Sequence, residues 1–163
     1  MALSQDSNSL LDTSALKALQ GLKVAVVSTE WNEKIVAEQL AGFMRIASEF
    51  AVEVTHDVKV PGAFEIPFGC RIVAGDKANS PEAIVTFGAV IRGGTPHFDY
   101  VCKAVTEGIT QLNITLGVPV IFGVLTLDNE VQAWERLGGS HGHKGEEAAI
   151  AALKMIALSR RYK

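Results

Sequence analysis

Four short apolar runs alternate along the chain with segments whose apolar residues recur at helical spacing. The first run, KVAVVS (Lys23 to Ser28), is unbroken and β-branched, as expected of a strand covered on both faces. Asn32 then offers a helix cap, and Val36, Leu40, Phe43, Ala47 and Phe50 follow on one helical face. Val52, Val54, Val58 and Val60 show period two and predict a second strand ending at Pro61-Gly62. Pro67 suits the first turn of the next helix, where its missing N–H is not needed, and that helix stops around 75–81. The third strand is AIVTFGAVI (Ala83 to Ile91). A glycine turn follows it, and then a helix opened by Asp99 and patterned by Val101, Val105, Ile109, Leu112 and Leu116. Gly117 ends that helix and PVIFGVLTL (Pro119 to Leu127) gives the fourth strand. Asp128 to Leu137 reads as a short helix broken by Gly138-Gly139. The last helix carries Glu146 and Glu147 early and Arg160 and Arg161 late, matching its dipole.

Strands alternating with helices predict a parallel sheet with helices on both faces, because each parallel crossover needs a helix-length connection. Ligands in such sheets bind outside the carboxyl ends of the strands. That rule directs attention to Trp31, to the stretch from Ala63 to Glu65, and to the turn from Arg92 to His97.

The 163 residues suffice for one domain with its own core, and 48% hydrophobic with 20% charged residues is the balance of a folded chain. Residues 1–21 read as an N-terminal extension whose first ten residues fray, and residues 22–163 as the domain. A net charge of −3 carries no electrostatic footprint for nucleic acid. No apolar run reaches the roughly 18 residues of a membrane span, and no basic residue precedes Lys17, which argues against a secretory signal. Cys70 and Cys102 sit in apolar helical patterns and read as reduced, buried thiols of a cytoplasmic protein.

The stretch GAVIRGGTPHFDYVC (Gly88 to Cys102) carries the most chemistry. Its glycines let backbone amides approach an anion, and Thr95 adds a hydroxyl beside the following helix's positive end, so phosphate is the natural guest. The same glycines equally serve a tight turn. His97 is either a surface or capping residue or an acid–base group, since its ordinary pKa near 6.5 suits proton transfer at neutrality. Glu65 can accept hydrogen bonds from a ligand or simply favour the first turn of its helix. Trp31 can stack on a planar heterocycle or pack on a neighbouring helix, and Asn32 can cap or contact a ligand. Arg136 and Lys144 bracket the double-glycine break; arginine suits bidentate phosphate binding, whereas single basic residues are usually just a solvated face. His141 and His143 between them lack a third metal ligand at recognisable spacing.

Taken in order, PGAFEIP, GAVIRGGTPHFDYVC, GVPVIFGVLTLDN and an E-R pair followed by G-x-KG resemble the lumazine synthase family from about Lys23 onward. The resemblance implies a three-layer α/β/α fold with a four-stranded parallel sheet and flavodoxin-like winding. It implies condensation of 5-amino-6-(D-ribitylamino)uracil with 3,4-dihydroxy-2-butanone 4-phosphate to 6,7-dimethyl-8-ribityllumazine, with no metal or organic cofactor. By the same resemblance His97 transfers protons, while Gly94, Thr95 and Arg136 hold the phosphate. Trp31 stacks on the pyrimidine, and Asn32, Ala63, Phe64 and Glu65 meet the ribityl chain. Ala89, Val90 and Ile91 meet the ring, and Phe122 and Lys144 line its site. Phe122 and Arg136 would reach the site from a neighbouring subunit, which implies homo-oligomers, pentamers or an icosahedral shell, with riboflavin synthase as a candidate partner.

LGGSHGHKG (Leu137 to Gly145) departs from the commoner A-G-T-K-x-G-N-K-G, with Gly139 and Ser140 where Thr and Lys are frequent. Its uninterrupted length resembles the shell-forming members. A flavodoxin-like FMN carrier would need a phosphate loop after the first strand, and STEWNEK (Ser28 to Lys34) is not one. A decayed structural scaffold is the other rival. Trp31 stands where the family often has Phe and offers a wider platform, so the tricyclic flavin product should bind there. Quenching of Trp fluorescence by added riboflavin would report it, and unquenched emission would count against it.

Overall fold

The computed structural model describes residues 12–162. The fraying expected of the first ten residues lies outside the described part. The elements run β1 (Lys23–Thr29), α1 (Glu33–Glu49), β2 (Glu53–Val60), α2 (Ile66–Gly75), β3 (Ala83–Ile91), α3 (His97–Thr115) and β4 (Val120–Leu127). Then come α4 (Val131–Glu135), β5 (Leu137–Gly139), β6 (Gly142–His143) and α5 (Lys144–Arg161). Four strands form one parallel sheet in the order β2-β1-β3-β4, the flavodoxin-like winding, while β5 and β6 make a small antiparallel hairpin.

Two apolar clusters sandwich the sheet. Val24, Val26, Val85 and Phe87 point to one face and pack with Val36, Phe43 and Ala47 of α1 and Ala149, Leu153 and Ile156 of α5. Ala25, Val27 and Ile84 point to the other and meet Ile66, Cys70 and Val73 of α2 and Val105 and Ile109 of α3. The continuous runs KVAVVS and AIVTFGAVI thus follow from burial on both faces. Burying each aliphatic side chain contributes about 1.5–3 kcal/mol.

Close helix packing needs glycine at two points. A Cβ on Gly145 would lie 2.1 Å from the Gln39 carbonyl oxygen, and one on Gly42 would lie 2.1 Å from the His143 ring. Here α1 and α5 meet backbone to backbone. At the opposite end of α5, Arg160 donates to the carbonyls of Gln20 and Gly21 at 2.8 and 3.0 Å and grips the Glu82 carboxylate at 2.6 and 2.7 Å. This clamp ties the segment entering β1 to the start of β3, and Leu16 just ahead of it is buried in the core.

Several sequence expectations change in detail. The period-two valines of β2 do not share a face, because the register jumps between Val24↔Val54 and Ala25↔His56 and leaves Thr55 unpaired. This bulge turns Val52 and Val54 towards the α1 side and Val58 and Val60 towards the α2 side. Helix α3 begins at His97 rather than Asp99, with Pro96 at its N-cap. The helix expected over Asp128 to Leu137 contracts to Val131–Glu135, since Leu137 enters the hairpin. Cys102 is only partly buried, unlike Cys70.

Asn32 occupies the N-cap position of α1 but does not cap. Its backbone is left-handed (φ 58°), and its side-chain nitrogen donates 2.7 Å to the Ala89 carbonyl on β3. Asparagine tolerates that conformation, whereas alanine is strained in it by about 1–2 kcal/mol. Asn32→Gly should therefore lose only the hydrogen bond, while Asn32→Ala should unfold at lower temperature still. Thermal melts of the two variants check the order; equal melting temperatures would contradict it.

Candidate active site

The carboxyl ends of the strands are stepped. Pairing of β1 with β3 stops at Ser28↔Phe87, yet β3 runs on to Ile91, still paired with β4 at Leu127. The main chain of residues 88–91 therefore has no strand partner on the β1 side. The chain also switches sheet direction between β1 and β3, the position at which a crevice must open.

That crevice is an open cavity of about 520 Å³. Its lining brings together Trp31, Asn32, Ala63, Phe64, Glu65, Ala89, Val90, Ile91, Thr95 and His97 from the sequence expectations. Gly93 of the expected glycine pair lines it too, and Thr29, Pro61, Gly62, Phe98 and Val101 also line it and were not anticipated as site residues. The missed prolyl and glycyl positions had a signal, since Pro61-Gly62 ends β2 just as the GG turn ends β3.

Each wall has a local cause. Glu30 and Trp31 extend the β1–β2 ladder by donating to the Val60 and Pro61 carbonyls at 2.9 and 3.3 Å, which sets Trp31 beside Pro61. Thr29 Oγ1 donates 3.2 Å to the Trp31 carbonyl. The indole itself is 73% exposed, so no neighbouring helix of this chain covers it. That rejects the packing alternative for Trp31. Glu65 folds back to accept from the Gly62 N–H at 3.0 Å, fixing the turn into α2.

Across the cavity, β3 passes into the turn carrying Gly93 and Thr95, and His97 is the first residue of α3. A Cβ at Gly93 or Gly94 would meet nothing within 4 Å, so these glycines are open to solvent rather than demanded by packing. Arg92 spans the turn. Its Nε donates 2.9 Å to Asp128, its NH1 donates 3.2 Å to Asp99, and its guanidinium lies 4.1 Å from the Phe98 ring centroid. Hydrogen bonding to Asp128, and then to Asp99, raises its already high pKa. No thiolate nucleophile is at hand. Burial pushes Cys70 up to about 12, and burial followed by the Asp99 charge raises Cys102.

Four anticipated residues do not line the cavity: Gly94, Phe122, Arg136 and Lys144. Phe122 lies on edge strand β4 opposite Thr86, well short of the carboxyl end, and is 42% exposed. Arg136 and Lys144 meet each other instead, because Lys144 N–H donates 2.8 Å to the Arg136 carbonyl at the base of the β5–β6 hairpin. The Lys144 ammonium is held by both Glu147 oxygens at 2.8 and 2.7 Å, and Arg136 NH1 donates 2.9 Å to the Gln132 carbonyl. The two histidines of this loop are parted. His141 is exposed, whereas His143 is buried against α1 with Nε2 3.2 Å from Glu38.

A family model described as 6,7-dimethyl-8-ribityllumazine synthase matches residues 21–160. A protein of that name from Kineococcus radiotolerans is 48% identical over 142 residues, covering 86% of both chains. The one from Streptomyces avermitilis is 46% identical over 141 residues, covering 85% of this chain and 86% of its own. The one from Porphyromonas gingivalis is 41% identical over 162 residues, 98% of this chain and 99% of its own. The chain therefore belongs to the 6,7-dimethyl-8-ribityllumazine synthase family of transferases.

Proposed function

We propose that the chain condenses 5-amino-6-(D-ribitylamino)uracil with 3,4-dihydroxy-2-butanone 4-phosphate to 6,7-dimethyl-8-ribityllumazine, releasing phosphate and water. The observation that carries this is the cavity with two unlike ends. An exposed indole and unpaired strand ends face a planar polar ring, and a glycine–threonine–histidine turn at a helix start faces an anion.

In this scheme Trp31 stacks on the pyrimidine. The main chain of Ile91, free of any strand partner on the β1 side, reads the ring's polar edge, while Val90, whose own main chain pairs with β4, lines the cavity beside it. Asn32 and Glu65 each keep one side-chain oxygen without a hydrogen bond among the described residues, and these meet the ribityl hydroxyls. Thr95, with the amides of Gly93 and Gly94, holds the phosphate. The amine attacks the ketone and loses water to give an imine, phosphate leaves, and a second loss of water closes the ring. His97 moves protons in these steps. Both reactants carry their own reactivity, so the protein contributes mainly orientation and proton transfer.

Phe122, Arg136 and Lys144 belong to the same scheme only if chains associate. We infer pentamers, and shells built from them, in which a neighbour's Phe122 and Arg136 close the cavity of this chain. Exposed Phe64, Phe68 and Ile72, spaced one turn apart, form an apolar ridge suited to such a contact. Arg136 is then the clamp for the butanone phosphate, as a planar guanidinium suits a phosphate.

The direct test follows lumazine absorbance and phosphate release together, and a rate no higher than the uncatalysed background would reject the proposal. His97→Ala should lower kcat about a hundredfold while leaving assembly intact, and a misassembled variant would argue against a mainly catalytic role. Arg136→Ala should chiefly raise the KM for the butanone phosphate, measured by varying that substrate alone. Co-expressing the two variants should give, at low butanone phosphate, more activity than either variant shows alone. No recovery would mean that each chain's cavity works alone.

A further inference from the structure

Building on the assignment of His97 above, we propose that Arg92 is a positioning residue. It straps the turn carrying His97 to the carboxyl end of β4 and so fixes where the imidazole stands in the cavity.

The turn needs such a strap. Residues 93–96 hold two glycines with open space where side chains would be, and the described hydrogen bonds at the turn are few. Arg92 N–H donates 2.8 Å to the Leu127 carbonyl before the turn, and Asp99 N–H donates 3.0 Å to the Pro96 carbonyl after it. Between these points the Arg92 side chain makes the crossing. One branch reaches Asp128 beyond β4, another reaches Asp99 in the first turn of α3, and its flat face covers Phe98. Asp99 and Phe98 are the two residues after His97 on the same helical turn, so holding them holds its backbone. Phe98 also lines the cavity beside His97.

Only arginine can do this. Its planar fork serves two carboxylates at once and stacks on a ring, whereas the point charge of lysine can satisfy one carboxylate and stacks poorly. The three side chains are 45–65% exposed, and ion pairs so exposed are screened by water and add little to global stability. What they fix is direction, and a misplacement of about 1 Å in a reacting group can lower a rate a hundredfold. The strap continues as well. Asp128 N–H donates 2.9 Å to the Gln132 side chain, and the Gln132 carbonyl accepts from Arg136 at 2.9 Å. One hydrogen-bonded chain thus joins the His97 turn to Arg136.

The test measures kcat and both KM values for Arg92→Met and Arg92→Lys, each in the native protein and in His97→Ala. Arg92→Met should lower kcat about tenfold with each KM moving less than about threefold. Arg92→Lys should recover only part of that loss. In the His97→Ala background Arg92→Met should change kcat by less than about twofold, because the group it positions is gone. Asp128→Asn, which keeps the shape and removes the charge of one anchor, should act in the same direction to a smaller extent and serves if Arg92→Met fails to assemble. Full activity of Arg92→Met and Asp128→Asn would overturn the proposal. So would an equal loss with and without His97, or a loss confined to KM. Full activity of His97→Ala would instead overturn the proton-transfer assignment itself.

Discussion

The two central strands have no face open to water, and the rest of the molecule follows from that constraint. β1 and β3 are covered above and below by helices, so a polar ligand can approach them only end-on. At their amino ends the approach is blocked by the Arg160–Glu82 clamp and the segment it holds. At their carboxyl ends β3 overshoots β1, and the unmatched main chain becomes the floor of the cavity. Unsatisfied backbone groups are normally a liability in a folded chain. Here one of them, the Ala89 carbonyl, is satisfied by the Asn32 side chain.

The two sides of this site are built on different principles. The Trp31 wall is stiff, since it is anchored by ladder hydrogen bonds to β2, by Thr29 and by the Asn32 bond to β3. The His97 wall hangs on a glycine turn and owes its placement to side-chain contacts made by Arg92. One wall is thus held by main-chain pairing and the other by side-chain contacts. Arg136 of the same chain lines neither wall.

Much of this was legible in the sequence because burial writes itself into composition. Apolar continuity gave β1 and β3, and helical spacing gave the inner faces of α1 and α3, with Val105 and Ile109 fully in the core. The switch-point rule points to Trp31, Glu65 and His97, and all three line the cavity. What escaped was whatever depends on a single residue's partner. Thr55 has nothing in its side chain to announce a bulge, yet it reverses the facing of every residue after it in β2. Asn32 has the composition of a cap and the geometry of a crosslink, because φ and a carbonyl 57 residues away decide its role. Arg136 and Lys144 read as parts of one site, but the hairpin between them makes a separate pair inside one chain.

The Arg160 clamp has a practical consequence. It brings the last turn of α5 and the backbone of Gln20 and Gly21 to one patch at the amino edge of the sheet. The seven residues of β1 separate that patch from the cavity by about 20 Å at the usual rise per residue. A peptide grafted just after Arg161 would therefore emerge beside the segment entering β1, a strand's length away from the cavity.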